Sequence, residues 1–439
     1  MKMFRMYDIR GVVGEDLTDD MVERIGKAVG TYIQGKVVVC RDNRIHSKKI
    51  RDIFVKALLS TGCDVIDIGE EPTPVLYFSA MHYKANGGIA ITASHNPKEY
   101  NGFKLIKNGA MLSGDEIQEV GKMAHKGEFA AGEGKLEEKN IKEEYIKNIL
   151  SKIKLKSELK VGVDCGNGTA SSLYPEVLEK IGCKLTRLYC TSDGNFPNHE
   201  PDPVVEDNIK DLIKTVKEQK LDLGIGFDGD GDRIGVVDSE GNIVAGDKIL
   251  ILLSRELLKT EPGSKILFDV KCSMLLPQDI EKHNGVPVMY KTGHSLIKAK
   301  MKEDDVTLAG EMSGHIFFKE LNFFDDALYA ACKLLQIVSS GKSLVEMLSD
   351  LPHTYVTPEI RFHCDDDKKF EVIKKLQQEF AKYNPNTIDG VRIGFDDGWG
   401  LVRASNTGPV LVMRFEALSQ ERLKEIRELI ESEVKKWSA

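Results

Sequence analysis

The 439-residue sequence predicts three tandem, related α/β domains with mixed sheets, plus a smaller C-terminal α+β domain, arranged around a shared cleft. Three observations carry this reading. At roughly 150 residues per domain, the length suits about three domains, or four small ones. A strand–helix–strand pattern recurs three times. From about His353 the texture changes to strands grouped between two helices.

Each copy of the repeat opens with a lysine and a short apolar run: Lys36-Val-Val-Val-Cys-Arg-Asp42, Lys160-Val-Gly-Val-Asp-Cys165 and Lys265-Ile-Leu-Phe-Asp-Val-Lys271. Apolar runs of four or five residues between polar loops read as buried strands. A helix-length stretch follows, then a glycine and a second strand: Gly62 to Ile68, Gly182 to Leu188 and Gly285 to Tyr290. Third strands run over Gly88 to Thr92, Leu221 to Ile225 and Val306 to Ala309. Such alternation builds βαβ units with mostly parallel strands. The charged stretch Lys126 to Glu144 reads as an exposed linker. In the last part, Glu359 to His363 is a strand and Lys368 to Tyr383 an amphipathic helix. Strands at Gly390–Phe395, Trp399–Ala404 and Val410–Phe415 follow. Leu423, Ile426, Ile430, Val434 and Trp437 then mark a closing helix. The expected domains are 1–148, 149–245, 246–352 and 353–439, with a hinge near Pro352.

Composition narrows the function. Lys plus Arg is 61 and Asp plus Glu is 69, a formal net charge of −8. A mildly acidic chain lacks the basic face of a nucleic-acid binder. No apolar run reaches the ~18 residues of a membrane span, and Met1 to Arg10 lacks the apolar stretch of a signal peptide. The eight cysteines form no CxxC pair and read as small buried hydrophobes of a reducing cytoplasm.

Each third strand runs into an unusual loop: Thr92-Ala-Ser-His-Asn-Pro97, Asp228-Gly-Asp-Gly-Asp-Arg233 and Gly310-Glu-Met-Ser-Gly-His315. Ligands of open α/β sheets bind beyond the carboxyl ends of strands, so the three loops suit one cleft. Asp228, Asp230 and Asp232 alternate with glycines that let the backbone curl, and in an extended chain all three carboxylates would project to one side. Their mutual repulsion is relieved by a divalent cation, and hard oxygen ligands favour Mg²⁺ over zinc. The formal GxGxxG at Gly224 to Gly229 is not a dinucleotide fingerprint, because Arg233 to Asp238 reads as a strand rather than a helix. Ser94 has no GxSxG elbow. With Lys104 close behind as a point-charge partner for phosphate, it suits phosphoryl transfer better than acyl transfer. Glu311, Ser313 and His315 form a polar triplet able to grip sugar hydroxyls. Arg403-Ala-Ser-Asn-Thr-Gly408 assembles a guanidinium, hydroxyls and glycine-permitted N–H groups into a phosphate cradle. Lys271, His294, Tyr7 and Arg10 are weak signals individually.

These motifs, with Phe4-Arg-Met-Tyr-Asp-Ile-Arg-Gly11, occur in order along nearly the whole chain, and together they resemble the α-D-phosphohexomutase superfamily. The closest likeness is to its phosphomannomutase/phosphoglucomutase branch. The resemblance implies four domains around a central cleft, the fourth mobile. It implies a phosphorylated Ser94, and Mg²⁺ held by Asp228, Asp230, Asp232 and a phosphoserine oxygen. Arg10, Lys104 and Arg233 would surround the transferring phosphoryl group, and Tyr7, Lys271, Thr292, Gly293 and His294 would line the substrate's path. Glu311 and Ser313 would read sugar hydroxyls, while Arg403, Ser405, Asn406 and Thr407 would hold the non-reacting phosphate. The Gly-Glu-Met-Ser-Gly-His loop implies mannose and glucose phosphates rather than glucosamine phosphates.

The implied reaction is a hexose 1-phosphate to 6-phosphate interconversion in a cytoplasmic enzyme. It would run through phosphoserine and hexose 1,6-bisphosphate, the latter also an activator, with Lys104 or His315 as general base. Small sugar phosphates are the expected partners. The alternatives are a phosphoglucosamine mutase, a Mg-dependent sugar phosphatase and a non-catalytic sugar-phosphate sensor.

Overall fold

Lys36–Arg41, rich in valine, and the fully buried Gly87–Ile91 become neighbouring parallel strands with Asp64–Glu70 on the outer side. The chain is seen here as a computed structural model that describes residues 3–405 and 408–438. The same three-strand plan recurs as Leu159–Asp164, Cys183–Leu188 and Leu223–Phe227, and again as Lys265–Asp269, Val286–Tyr290 and Leu308–Gly310. In every copy the first strand lies between the second and the third, with a helix on each crossover. An antiparallel strand follows each third strand: Tyr100–Lys107, Ile234–Val237 and Ile316–Phe318. The sheets are therefore mixed, and each third strand delivers its loop at its carboxyl end.

The fourth sheet is antiparallel. Val410–Ala417 pairs with Gly398–Ala404, Ile360–His363 and Tyr355–Val356, and Val391–Phe395 closes the far edge. The helices Lys369–Glu379 and Gln420–Ser438 pack against this sheet. The expected helix to Tyr383 stops at Glu379 and continues as a single tighter turn, Ala381–Tyr383.

One expectation is corrected. Lys126 to Glu144 is not a plain linker. Leu136–Glu138 adds a parallel edge strand to Asp64–Glu70, and Lys142–Leu150 is already helical. All three residues of that strand are exposed, so it is held by backbone hydrogen bonds and carries no apolar signature.

A single buried apolar cluster runs from Val38 through Val163 and Phe227 to Leu335, joining the first three sheets. The C-terminal domain has its own core around Leu376, Phe415 and Ile430. Val270, Trp399 and Leu401 make a small bridge between the two. Among the described residues, no helix is long and apolar enough to cross a membrane.

Candidate active site

Ser94 is 1% exposed and takes a left-handed backbone conformation, φ 51°. That conformation is costly for a residue with a Cβ, and several contacts enforce it. The Ser94 N–H donates to Thr92 Oγ1 at 2.9 Å, and the Ser94 carbonyl accepts from Arg44 Nη2 at 2.9 Å. The fully buried Arg44 guanidinium also donates to the carbonyls of Asn96, Pro97 and Tyr100 and pairs with Asp42. Arg44 thus shapes the serine loop. Its own segment carries no motif that would have singled it out.

The Ser94 hydroxyl donates to Asp228 Oδ2 at 2.7 Å and lies 3.1 Å from His95 Nδ1. This approach needs Gly229, because a Cβ there would strike the Ser94 carbonyl. The three aspartates do converge, with ligand atoms within 4.8 Å of one another. A tight turn brings them together rather than an extended strand: the Asp228 carbonyl accepts from Gly231 N–H, and Asp228 Oδ1 accepts from the N–H groups of Asp232 and Arg233. Ile234–Val237 then pairs back on Leu223–Phe227, so the glycine run opens a hairpin and no helix.

The three carboxylates are 0–1% exposed. Burial and repulsion from Asp230 and Asp232 push the Asp228 carboxyl well above its ordinary range. Burial alone would raise Asp232 too, but the Lys104 ammonium outweighs it and holds it low. Lys104 Nζ bridges Asp230 Oδ2, at 2.6 Å, and Asp232 Oδ2. Burial opposes its charge, yet these carboxylates keep the ammonium above the usual lysine range. Thr73 Oγ1, which no sequence motif marked, also donates to Asp230 Oδ2 at 2.6 Å. Asp230 Oδ1 and Asp232 Oδ1 are buried without a hydrogen-bond partner. Two orphaned carboxylate oxygens beside Asp228 fit a hard divalent cation such as Mg²⁺.

Arg233 Nε donates to His315 Nε2 at 3.1 Å. Guanidinium has no lone pair to offer, so Nε2 carries one and the ring proton sits on Nδ1. Nδ1 lies 2.7 Å from Asp325 Oδ2, whose other oxygen is 2.6 Å from Lys298 Nζ. Asp325 and Lys298, both buried, were missed by sequence reasoning. Asp325 also groups with Asp232 and His315 as a possible ligand set, but its charge is already balanced by Lys298. Burial is outweighed there, and Asp325 is held below the usual carboxylate range.

Arg10 reaches the serine loop by donating to Asn96 Oδ1 and pairs with Asp8 at 2.7 Å. On the third sheet, the buried Glu311 accepts from Gly293 N–H at 2.7 Å and, at 3.5 Å, from the Ser313 hydroxyl. His294 is buried behind Tyr7, ring centroids 6.1 Å apart, and Tyr7 OH donates to the Thr292 carbonyl at 2.8 Å. Lys271 Nζ binds Glu359 of the fourth domain at 2.9 Å. In that domain Arg403 Nε donates to Asp389 Oδ2 at 2.9 Å, and Lys369 Nζ holds the carbonyls of Ser405 and Gly408. Asn406 and Thr407 lie outside the described residues. A cavity of about 490 Å³ near Arg41, Arg51 and Glu71 contains none of these groups, and its arginines are already paired with carboxylates.

Similarity to known proteins agrees with this arrangement. Four models described as phosphoglucomutase/phosphomannomutase domains match in order. Alpha/beta/alpha domain I matches residues 1–131, domain II 143–241 and domain III 245–355, and the C-terminal domain matches 359–433. The chain is 45% identical to a phosphomannomutase/phosphoglucomutase of Pseudomonas aeruginosa, covering 99% of this chain and 95% of that one. It is 41% identical to a phosphoglucomutase of Neisseria gonorrhoeae, covering 97% and 95%. A crystal structure of a phosphoglucomutase/phosphomannomutase family protein from Burkholderia thailandensis superposes with a TM-score of 0.94 at 40% identity, covering 99% of this chain and 97% of that one. With four family models matching in order and these relatives matching over nearly the full length, the chain belongs to the phosphoglucomutase/phosphomannomutase family.

Proposed function

We propose that this enzyme, a hexose-phosphate mutase by family, interconverts the 1- and 6-phosphates of mannose and glucose through a phosphoserine at Ser94. The observation that carries this is the Ser94 hydroxyl on Asp228, beside two aspartates with orphaned buried oxygens. Asp228, Asp230, Asp232 and a phosphoserine oxygen would hold Mg²⁺, which neutralises charge on the transferring phosphoryl group. Arg10, Lys104 and Arg233 face the same group.

Phosphoserine gives its phosphoryl group to O6 of a hexose 1-phosphate; His315 Nε2 takes the O6 proton, and Ser94 Oγ leaves and recovers that proton from His315. The bisphosphate turns end over end, and the Ser94 hydroxyl attacks its 1-phosphoryl group. The Ser94 proton passes through His315 to the departing O1, leaving hexose 6-phosphate and phosphoserine. His315 suits the proton transfer because Nε2 bears the lone pair, whereas Lys104 is bound to two carboxylates. Glu311 and Ser313 read hydroxyls, and Tyr7, Lys271, Thr292, Gly293 and His294 line the path. Arg403 and Ser405, with Asn406 and Thr407 by sequence, hold the distal phosphate. Added hexose 1,6-bisphosphate rephosphorylates Ser94 and so acts as activator. The domain limits 1–148, 149–245, 246–352 and 353–439 put one loop of the site in each unit. A cytoplasmic location suits eight cysteines that are all free thiols.

Parallel coupled assays on mannose, glucose and glucosamine 1-phosphates test this. Turnover of the first two above the third, with Mg²⁺ required and no inorganic phosphate released, is the expected result. Preference for glucosamine 1-phosphate would overturn the sugar assignment, and phosphate release would make the protein a phosphatase.

A further inference from the structure

One peptide unit joins three of the domains. The Thr292 carbonyl accepts from Tyr7 OH of the first domain at 2.8 Å, and the Thr292 N–H donates to Asp389 Oδ2 of the fourth at 3.0 Å. The same Asp389 oxygen takes the Nε hydrogen of Arg403 at 2.9 Å. Asp389 sits where Gly390 turns the chain into Val391–Phe395, with φ 93° at the glycine. A Cβ on Gly390 would come within 2.8 Å of Arg403 Cα, so the glycine lets the Asp389 turn lie against the arginine's backbone. The carboxylate, with 15% side-chain exposure, thus faces a buried guanidinium and a peptide N–H of another domain.

We infer that Asp389 is a positioning residue for the phosphate-gripping arginine and the clasp that keeps the fourth domain closed over the bisphosphate while it reorients. The inference rests on the reading of Arg403 as the distal phosphate cradle. By taking the Nε edge, Asp389 turns the two terminal amino groups of Arg403 toward a phosphate and fixes their plane. By also holding the Thr292 N–H, it ties that plane to the segment Thr292–His294 that lines the substrate's path. Closing the domain and aiming the guanidinium become one event. Opening it breaks a charge-assisted hydrogen bond to Thr292 while the Asp389–Arg403 pair, internal to the fourth domain, persists.

The test compares Asp389→Ala, Asp389→Asn and Arg403→Ala in the full-length enzyme. It measures KM and kcat for hexose 1-phosphate, and free hexose 1,6-bisphosphate released per product formed. Loss of a hydrogen bond to a charged group predicts a KM raised roughly ten- to hundredfold in Asp389→Ala. The kcat, measured with saturating bisphosphate, should fall far less, and bisphosphate release should rise. Asp389→Asn, which keeps an acceptor oxygen of the same shape, should lie between the alanine variant and the wild type. A purely structural role would lower thermal stability without changing bisphosphate release per product. If Arg403→Ala shows the KM and release defects while both Asp389 variants match the wild type, the clasp is overturned and the cradle stands. If Arg403→Ala itself changes neither quantity, the cradle reading fails and the clasp with it.

Discussion

Ser94, the proposed phosphoserine, sits in a backbone conformation that serine does not choose freely, and one residue that enforces it, Arg44, is 50 positions away. Replacing Ser94 with alanine leaves those backbone contacts intact, so the variant should fold normally. It should lose nearly all mutase turnover and the phosphate-sized mass increment of the wild type, both read by coupled assay and intact-mass spectrometry. An active alanine variant would remove Ser94 from the mechanism. Arg44→Met keeps most of the side-chain volume but strands Asp42 and four loop carbonyls. Leaving one half of a buried ion pair costs about 3–5 kcal/mol, so chemical denaturation should show a loss of that order, with turnover reduced as the Ser94 loop relaxes.

At the scale of an element, the helix Ala327–Val338 begins on Asp326, whose side chain accepts from the Tyr329 N–H at 2.9 Å and from Tyr145 OH at 2.7 Å. Burial outweighs these donors and raises the Asp326 carboxyl to about 7. The folded chain therefore keeps a proton that the unfolded chain has already released near pH 4. Its contribution to stability is fully present below that pH and is lost as pH rises through about 7. Asparagine is an equally good cap without the titration. Asp326→Asn should match the wild type near pH 4 and gain on it by up to about 4 kcal/mol by pH 8. Denaturant midpoints across that range provide the check, and parallel pH profiles for the two proteins would refute it. The metal turn belongs to the same scale: Asp230→Asn removes one of the three charges that a divalent cation would balance. It should weaken the Mg²⁺ requirement curve and turnover together, measured by titrating the cation back after chelation.

For the whole molecule, the apolar clusters define two blocks. The first three domains share one large core cluster beside a smaller cluster of their own in each, and the fourth has a separate core joined to that block through a small patch at Val270, Trp399 and Leu401 and a few polar contacts. The two tryptophans, Trp399 and Trp437, both lie in the fourth domain. Tryptophan fluorescence should consequently report an early unfolding step that calorimetry resolves from a larger, later one. If hexose 1,6-bisphosphate is gripped from both blocks as proposed, it should raise the early transition toward the later one. Coincident transitions in the absence of ligand would show a single cooperative unit.

The sequence by itself determined the elements and the loops at their ends. Strand periodicity, glycines and contiguous motifs are local, so Ser94, the aspartate triplet, Glu311 and Arg403 were legible from a few neighbouring residues each. Their resemblance in order supplied the chemistry. The tertiary structure decided what lies between distant segments. Arg44 under the Ser94 loop, Asp325 behind His315, Thr73 on Asp230 and Asp389 between Arg403 and Thr292 are single side chains without a surrounding pattern. The edge strand Leu136–Glu138 likewise announces nothing, because its pairing is made by backbone groups that every residue possesses. A buried charge must find a partner wherever the fold brings one, and only the assembled sheets show which partner that is.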